Sequence, residues 1–291
     1  MQIPHLLLAI VDKPYSQTLE ILWGIRIGVR HTAFEHHMSI LDCFRLDGKI
    51  ALITGAASGL GAAIALALAE AGATVACHGN RRPAAQTSER IRSFGYPAHP
   101  FSADLSHEQG TVQLFEEVRS ALGSPTILVN NAGTIHREAA EDFDAAAWAT
   151  VLQVNLTSVF RLCQLAGKEM LERRQGKIVN IASLLSFQGG IRVPAYAASK
   201  GGVAQITKAL ANEWAGRNVQ VNAIAPGYFR TTNTEGLQQD EIRSRQILER
   251  IPAGRWGDPE DLAGAAVFLS SSASDYVNGE VLVVDGGWMA R

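Results

Sequence analysis

Between a short apolar run, Lys49-Ile-Ala-Leu-Ile-Thr54, and an Ala/Leu-rich segment from Ala62 to Ala71 lie Gly55, Ser58, Gly59, Leu60 and Gly61, in the order T-G-A-A-S-G-L-G. This junction narrows the fold more than any other stretch. Glycines there let the chain turn sharply out of a strand, and the helix N-terminus behind them offers free N–H groups and a positive dipole end to a pyrophosphate. The spacing is G-x-x-x-G-x-G, not the G-x-G-x-x-G of the standard dinucleotide fingerprint, and a compact strand-to-helix connection would also use glycines. With a strand before it and a helix after it, the turn reads as a nucleotide site.

The rest of the chain repeats that alternation. Thr74–Cys77, Ile127–Asn130, Lys177–Ile181, Val219–Ala225 and Val281–Val284 are short apolar runs separated by helix-length segments such as Glu108–Leu122 and Ala145–Arg173. Continuous apolar strands are what a parallel sheet covered by helices on both faces requires. The pattern predicts an α/β fold: a single doubly wound, Rossmann-type domain with a mainly parallel sheet. Asp258-Pro-Glu-Asp261 supplies a cap, a first-turn proline and first-turn acids for a helix running to about Leu269. Residues 1–37 lack this regularity and are expected to be an irregular extension or a mis-assigned start, the alternative being an extra helix around Leu19–Val29. Residues 38–291 are expected to be the domain.

Charge and composition exclude several classes. The 26 Lys and Arg against 28 Asp and Glu give a net charge of −2, which offers no polyanion-binding surface, so no nucleic-acid partner is expected. No run approaches the roughly 18–20 apolar residues of a membrane span, and the weak run Leu6–Val11 has no preceding basic residue, unlike a signal peptide. Cys43, Cys77 and Cys163 are far apart and odd in number. They encode neither a disulfide framework nor a zinc site, and a cytoplasmic protein without a bound metal is expected.

A second constellation carries chemistry. Tyr196 and Lys200 stand four residues apart at the start of an Ala-rich helical stretch and so share one face. A tyrosine with a reference pKa near 10 needs a shift of about three units to act as a base at neutral pH. An ammonium about 4 Å away at an effective dielectric of about 20 supplies ~4 kcal/mol, so one lysine is expected to suffice. Ser183 follows the strand Lys177–Ile181, at the carboxyl end where open α/β sheets form their sites. Asn130-Asn131-Ala132-Gly133 closes another strand. Asn155 is flanked by Val151, Leu152, Val154 and Leu156, where a buried amide must be hydrogen-bonded or used.

Together, Thr54-Gly-x-x-x-Gly-x-Gly61, Asn130-Asn-Ala-Gly133, Ser183, Tyr196-x-x-x-Lys200 and Pro226-Gly227 resemble the short-chain dehydrogenase/reductase family, in its classical group, over roughly residues 43–291. The resemblance implies a catalytic set. Ser183 would polarise the substrate oxygen, Tyr196 exchange the proton, Lys200 tune Tyr196 and hold the nicotinamide ribose, and Asn155 anchor a water relay. It also implies cofactor contacts: the pyrophosphate on Gly55, Ser58, Gly59, Leu60 and Gly61, the adenine on Asp104 and Leu105, the adenosine side on Asn131, Ala132 and Gly133, and the nicotinamide amide on Pro226 and Gly227. Within the family, Ser183–Pro194, Ile251–Gly257, Ser272–Gly279 and Asp285–Arg291 resemble the members that oxidise deoxy-hexonates. A small sugar-acid substrate is therefore implied, with 2-deoxy-D-gluconate or 2-dehydro-3-deoxy-D-gluconate as examples. Gluconate oxidation, 3-oxoacyl-carrier reduction and a non-catalytic dinucleotide sensor are the alternatives.

Cofactor choice is open between NAD and NADP. The second strand ends in Cys77-His-Gly-Asn80-Arg81-Arg82, with no acid for a ribose hydroxyl pair and two arginines for a 2′-phosphate. That favours NADP slightly, with Arg81 as the contact, while the resemblance within the family favours NAD. Arg137, Arg192, Arg230 and Arg255 are candidates for holding a substrate carboxylate, and Gln188 and Asn233 for its hydroxyls. Family members commonly form tetramers, and Val281–Val284 followed by Trp288 and Met289 is expected to be an apolar face buried in a homotetramer.

Overall fold

The six apolar runs become six of seven parallel strands. In the computed structural model, which describes residues 39–291, these are β1 (Ile50–Ile53), β2 (Thr74–Gly79), β3 (Ala98–Ser102), β4 (Ile127–Asn130), β5 (Gly176–Ile181), β6 (Val219–Pro226) and β7 (Val281–Val284). They form one sheet in the order β3-β2-β1-β4-β5-β6-β7, and all six pairings are parallel. The helices are α1 (Gly59–Glu70), α2 (Ala85–Ser93), α3 (Glu108–Leu122), α4 (Ala145–Leu152), α5 (Ser158–Glu172), α6 (Pro194–Trp214), α7 (Glu235–Gln239), α8 (Glu241–Arg250) and α9 (Ala263–Ser270). Ile40–Arg291 packs as one unit. The expected extension at 1–37, and the alternative helix at Leu19–Val29, lie outside the described residues.

Strand alternation sends side chains into two separate cores. Leu52, Leu128, Ile178 and Val221 pack on one face with Phe115, Leu162 and Met170 of α3 and α5. Ala51, Ile53, Val129, Val179 and Ile224 pack on the other with Ile64 and Leu68 of α1 and Leu269 of α9. Both faces are dry, which is why the strands read as unbroken apolar runs rather than alternating ones. Each fully buried Ile or Leu side chain contributes about 1.5–3 kcal/mol, and a third, smaller cluster joins Leu184, Ile247, Ile251, Trp256 and Trp288.

Three expectations change. β3 reads Ala-His-Pro-Phe-Ser and was invisible as a strand; as an edge it tolerates Pro100, which has no N–H to give. The span Ala145–Arg173 is not one helix. It is interrupted by a π turn, Gln153–Thr157, that separates α4 from α5 and carries Asn155. Trp288 is not part of an exposed apolar end: it is 5 % exposed, with its ring centroid 4.6 Å from that of Tyr228 and the Arg250 guanidinium 4.0 Å from the ring centre. Val283 and Met289 remain about one-third exposed. No helix among the described residues is long and apolar enough to cross a membrane, and no group of three or more His, Cys, Asp or Glu among them could hold a metal ion.

Candidate active site

The strand order reverses between β1 and β4, and the carboxyl ends of β1, β4, β5 and β6 open there into a cleft of about 260 Å³. Its walls include Gly55, Ser58, Gly59, Leu60, Gly61, Asn131, Ala132, Gly133, Ser183, Tyr196, Lys200, Pro226 and Gly227, and the hydroxyl candidate Asn233, all expected from sequence, together with Phe229, Thr231, Thr232 and Thr234, which were not. That reversal point is where open α/β sheets bind ligands. The missed residues follow β6 and enter the 3₁₀ turn Thr232–Thr234, where Thr231 and Thr234 form a capping box. A polar run ahead of a helix was their only signal.

The glycine-rich turn is built to exclude side chains. Gly55 has φ +66°, and a Cβ on Gly61 would lie 2.2 Å from the Gly55 carbonyl oxygen and 2.4 Å from Asn131 Nδ2. Asn131 donates through that Nδ2 to the carbonyls of Thr54 (2.9 Å) and Gly55 (3.0 Å). Its backbone N–H and that of Ala132 donate to Thr54 Oγ1 at 3.0 Å. The end of β4 thus clamps the end of β1, and the Asn131 amide is spent on the loop backbone.

Across the cleft, Ser183 follows β5, while Tyr196 and Lys200 lie on the first turns of α6. Partial burial holds the half-buried Tyr196 above its ordinary value, while the Ser183 hydroxyl and the Arg137 guanidinium act in the opposite direction and favour its ionised form. The expectation that one ammonium suffices does not hold for the chain by itself. Lys200 Nζ is turned to the Ile181 carbonyl at 2.5 Å and lies 5.7 Å from the centre of the tyrosine ring. Burial lowers the Lys200 pKa to about 8. Asn155, fully buried in the π turn, accepts from Thr134 N–H at 2.8 Å and donates to Thr134 C=O (2.8 Å) and Ser199 Oγ (3.2 Å). Its amide therefore ties α6, one residue before Lys200, to the segment after Gly133.

Other predicted residues lie at or beyond the rim. Leu105 is buried in the core, and Asp104 is exposed, accepting from Ser106 N–H at 2.9 Å. Neither belongs to the cleft wall. Arg81 is exposed, whereas Arg82 donates to Ser58 Oγ (3.0 Å) and Thr232 Oγ1 (3.3 Å), bridging the glycine-rich turn and the far wall. Of the candidate carboxylate ligands, Arg230 is paired with Asp258 at 2.8 Å and Arg255 with Asp261 at 2.6 Å. Arg137 donates to the Asn233 carbonyl at 3.1 Å. Arg192 is exposed with φ +63°, its carbonyl accepting from Glu138 N–H, and Gln188 is half-buried in the turn after Ser183.

A family model described as enoyl-(acyl carrier protein) reductase matches residues 55–289. The chain is 53% identical to a Bacillus subtilis 2-dehydro-3-deoxy-D-gluconate 5-dehydrogenase over 86% of its own length and 98% of the relative's. It belongs to the short-chain dehydrogenase/reductase family. Solved structures of short-chain dehydrogenases share the fold: an Agrobacterium tumefaciens protein assigned provisionally as 2-deoxy-D-gluconate 3-dehydrogenase, with bound NADP, superposes with TM-score 0.81 at 53% identity, covering 86% of this chain and 99% of that one. Burkholderia cenocepacia gluconate 5-dehydrogenase, in complex with NADP and tartrate, gives TM-score 0.83 at 40% identity over 87% of this chain and all of that one. The protein is a nicotinamide-dependent oxidoreductase of this family. Its cleft fits such a dinucleotide: a Cβ on Gly133 would project between Asn155 Oδ1 (3.4 Å) and Lys200 Nζ (3.9 Å), so the missing side chain leaves the floor beneath Lys200 open.

Proposed function

We propose that the protein interconverts a hydroxyl and a keto group on a deoxy-hexonate, with 2-dehydro-3-deoxy-D-gluconate as the leading substrate and NADP as the preferred cofactor. The observation that carries this reading is that Ser183, Tyr196 and Lys200 line one cleft together with the glycine-rich turn at Gly55–Gly61. The relative's name supports the substrate class. The bound nicotinamide supplies or accepts the hydride. Ser183 orients and polarises the substrate oxygen, and Tyr196 gives or takes its proton. Lys200, with its ammonium freed from the Ile181 carbonyl, offsets the burial cost of the tyrosinate and meets the ribose, while Asn155 positions α6 for both.

Glycines 55, 59 and 61 with Ser58 and Leu60 receive the pyrophosphate, Asn131–Gly133 and, from beyond the cleft wall, the exposed Asp104 the adenosine side, and Pro226 and Gly227 the nicotinamide amide, while Leu105, buried in the core, supports the turn behind Asp104. Arg82, already on Ser58, is the better placed of the two arginines for a 2′-phosphate. Arg137, beside the tyrosine and outside the Asp258–Asp261 ion pairs, holds the substrate carboxylate. The reading extends to a cytoplasmic homotetramer joined in part through the β7 edge.

The test is a spectrophotometric screen with NAD and NADP against 2-dehydro-3-deoxy-D-gluconate, 2-deoxy-D-gluconate, gluconate and a 3-oxoacyl thioester. The deoxy-hexonates should give the highest kcat/KM; a preference for the thioester overturns the substrate reading. Tyr196→Phe should bind the dinucleotide normally and lose at least about 10²-fold in rate, the low end for general acid–base catalysis.

A further inference from the structure

His78, the fifth residue of β2, is 2 % exposed and takes no part in the proton and hydride transfers proposed above. Its ring spans two backbone groups. Nδ1 lies 3.3 Å from the N–H of Gly55, and Nε2 lies 3.1 Å from the carbonyl of Ala103. A backbone N–H can only donate and a carbonyl can only accept. Nδ1 must therefore be bare and Nε2 must carry the hydrogen, which fixes a neutral imidazole in one tautomer. The His78 carbonyl also accepts from Ala56 N–H at 2.7 Å. Two consecutive amides of the glycine-rich turn are thus held by one residue, at the point where φ +66° at Gly55 swings the chain from β1 toward α1.

We infer that His78 is a positioning residue for the dinucleotide: its neutral ring fixes the Gly55 amide and with it the glycine-rich turn, so that dinucleotide affinity falls in acid as the ring takes up a proton. The inference rests on the reading that this cleft receives a nicotinamide dinucleotide. An imidazolium would put a second N–H at Nδ1, facing the Gly55 N–H, and two donors cannot share a bond. Burial holds the ring below the ordinary histidine value, while the Ala103 carbonyl and the Asp104 carboxylate draw it up. Asp104, in the turn between β3 and α3, is the charged side chain acting on it. Thr54–Ser58 brings none, β3 brings only the exposed His99, and beyond β2 only the exposed Arg81 and Arg82 follow.

Calorimetric titration of the full chain with NAD, which does not itself ionise between pH 5.5 and 8, tests this. For the wild type, Kd should be flat above about pH 7 and rise in acid toward tenfold per pH unit, with protons released on binding there. Proton release is counted by comparing buffers of different ionisation enthalpy. His78→Asn keeps an acceptor at the same remove from Cβ as Nδ1 and cannot be protonated in this range, so its Kd should stay within about threefold of wild type at pH 8 and lose the acid limb. His78→Phe has no acceptor and should bind at least about tenfold more weakly at pH 8, with melting curves verifying that both variants fold. A flat wild-type profile without proton release, or an acid limb that survives in His78→Asn, overturns the inference and leaves the dinucleotide site intact. Failure of the wild type to bind NAD or NADP at pH 8 would instead overturn the cofactor reading.

Discussion

Lys200 shows what a buried ammonium costs this protein. It is 4 % exposed, has one carbonyl partner, and its pKa falls to about 8 against an ordinary 10.5. The sign follows from linkage. Below pH 8 both folded and unfolded chains carry the proton and the folded state bears the burial cost; between 8 and 10.5 only the unfolded chain keeps it, so this group's contribution to stability rises with pH. Lys200→Met should therefore be more stable than wild type at pH 7 in urea titrations, and that gap should close by about 3 kcal/mol toward pH 10.5, at 1.36 kcal/mol per pK unit. A gap independent of pH would show that the ammonium is better solvated than its burial implies. Arg82 poses a second residue-scale question. If it meets a 2′-phosphate, Arg82→Ala should lose about tenfold or more in NADP over NAD selectivity, the worth of a charge-assisted bond of 1.5–3 kcal/mol, with NAD kinetics nearly unchanged. Loss of both cofactors alike would mean that it serves the wall, through Ser58 and Thr232, rather than the phosphate.

At the scale of elements, capping is the clearest point of agreement between sequence and structure. Asp258 accepts from the N3 backbone while Asp261 accepts from Asp258 N–H, and Arg255 holds Asp261 in a double hydrogen bond that takes its carboxyl down to about 2. Asp258→Ala should lower unfolding free energy by about 1 kcal/mol, the usual worth of an N-cap, read from denaturant midpoints at constant slope. The N-cap at Asp258 and the six apolar strands were legible because each follows from local chemistry: β-branched runs, a proline at N1, glycines at a turn; the reciprocal bond from Asp261 that completes a capping box was not read. β3 was not legible, since an edge strand can keep His99 and Pro100 where a central one cannot. The π turn was not legible either. Nothing in Gln-Val-Asn-Leu-Thr marks an extra residue per turn, and only the buried Asn155, bonded across to Thr134 and Ser199, shows what it positions. Of the cleft, the pieces at strand ends could be read from motifs; the wall at Thr231, Thr232 and Thr234, the bridging of Ser58 and Thr232 by Arg82 and the orientation of Lys200 depend on contacts between segments distant in sequence.

For the whole molecule, two features bear on assembly. β7 is an edge of the sheet, with Val283 and Met289 about one-third exposed beside it, while Trp288 is withdrawn into a cluster with Tyr228 and Trp256. The edge and not the tryptophan is what a partner would cover. Light scattering at micromolar concentration should give a mass near four chains; a monomer would refute the homotetramer. The strand order also sets a timetable. β1 ends at Ile53, yet its second neighbour, β4, does not begin until Ile127. At the roughly 5–20 residues per second of synthesis, the future centre of the sheet stands as a bare parallel edge for on the order of 4–15 s after β1 is made, with β2 and β3 already able to pair on its other side. A nascent chain in that interval is one that a chaperone should find, and overproduction at lower temperature should favour soluble protein.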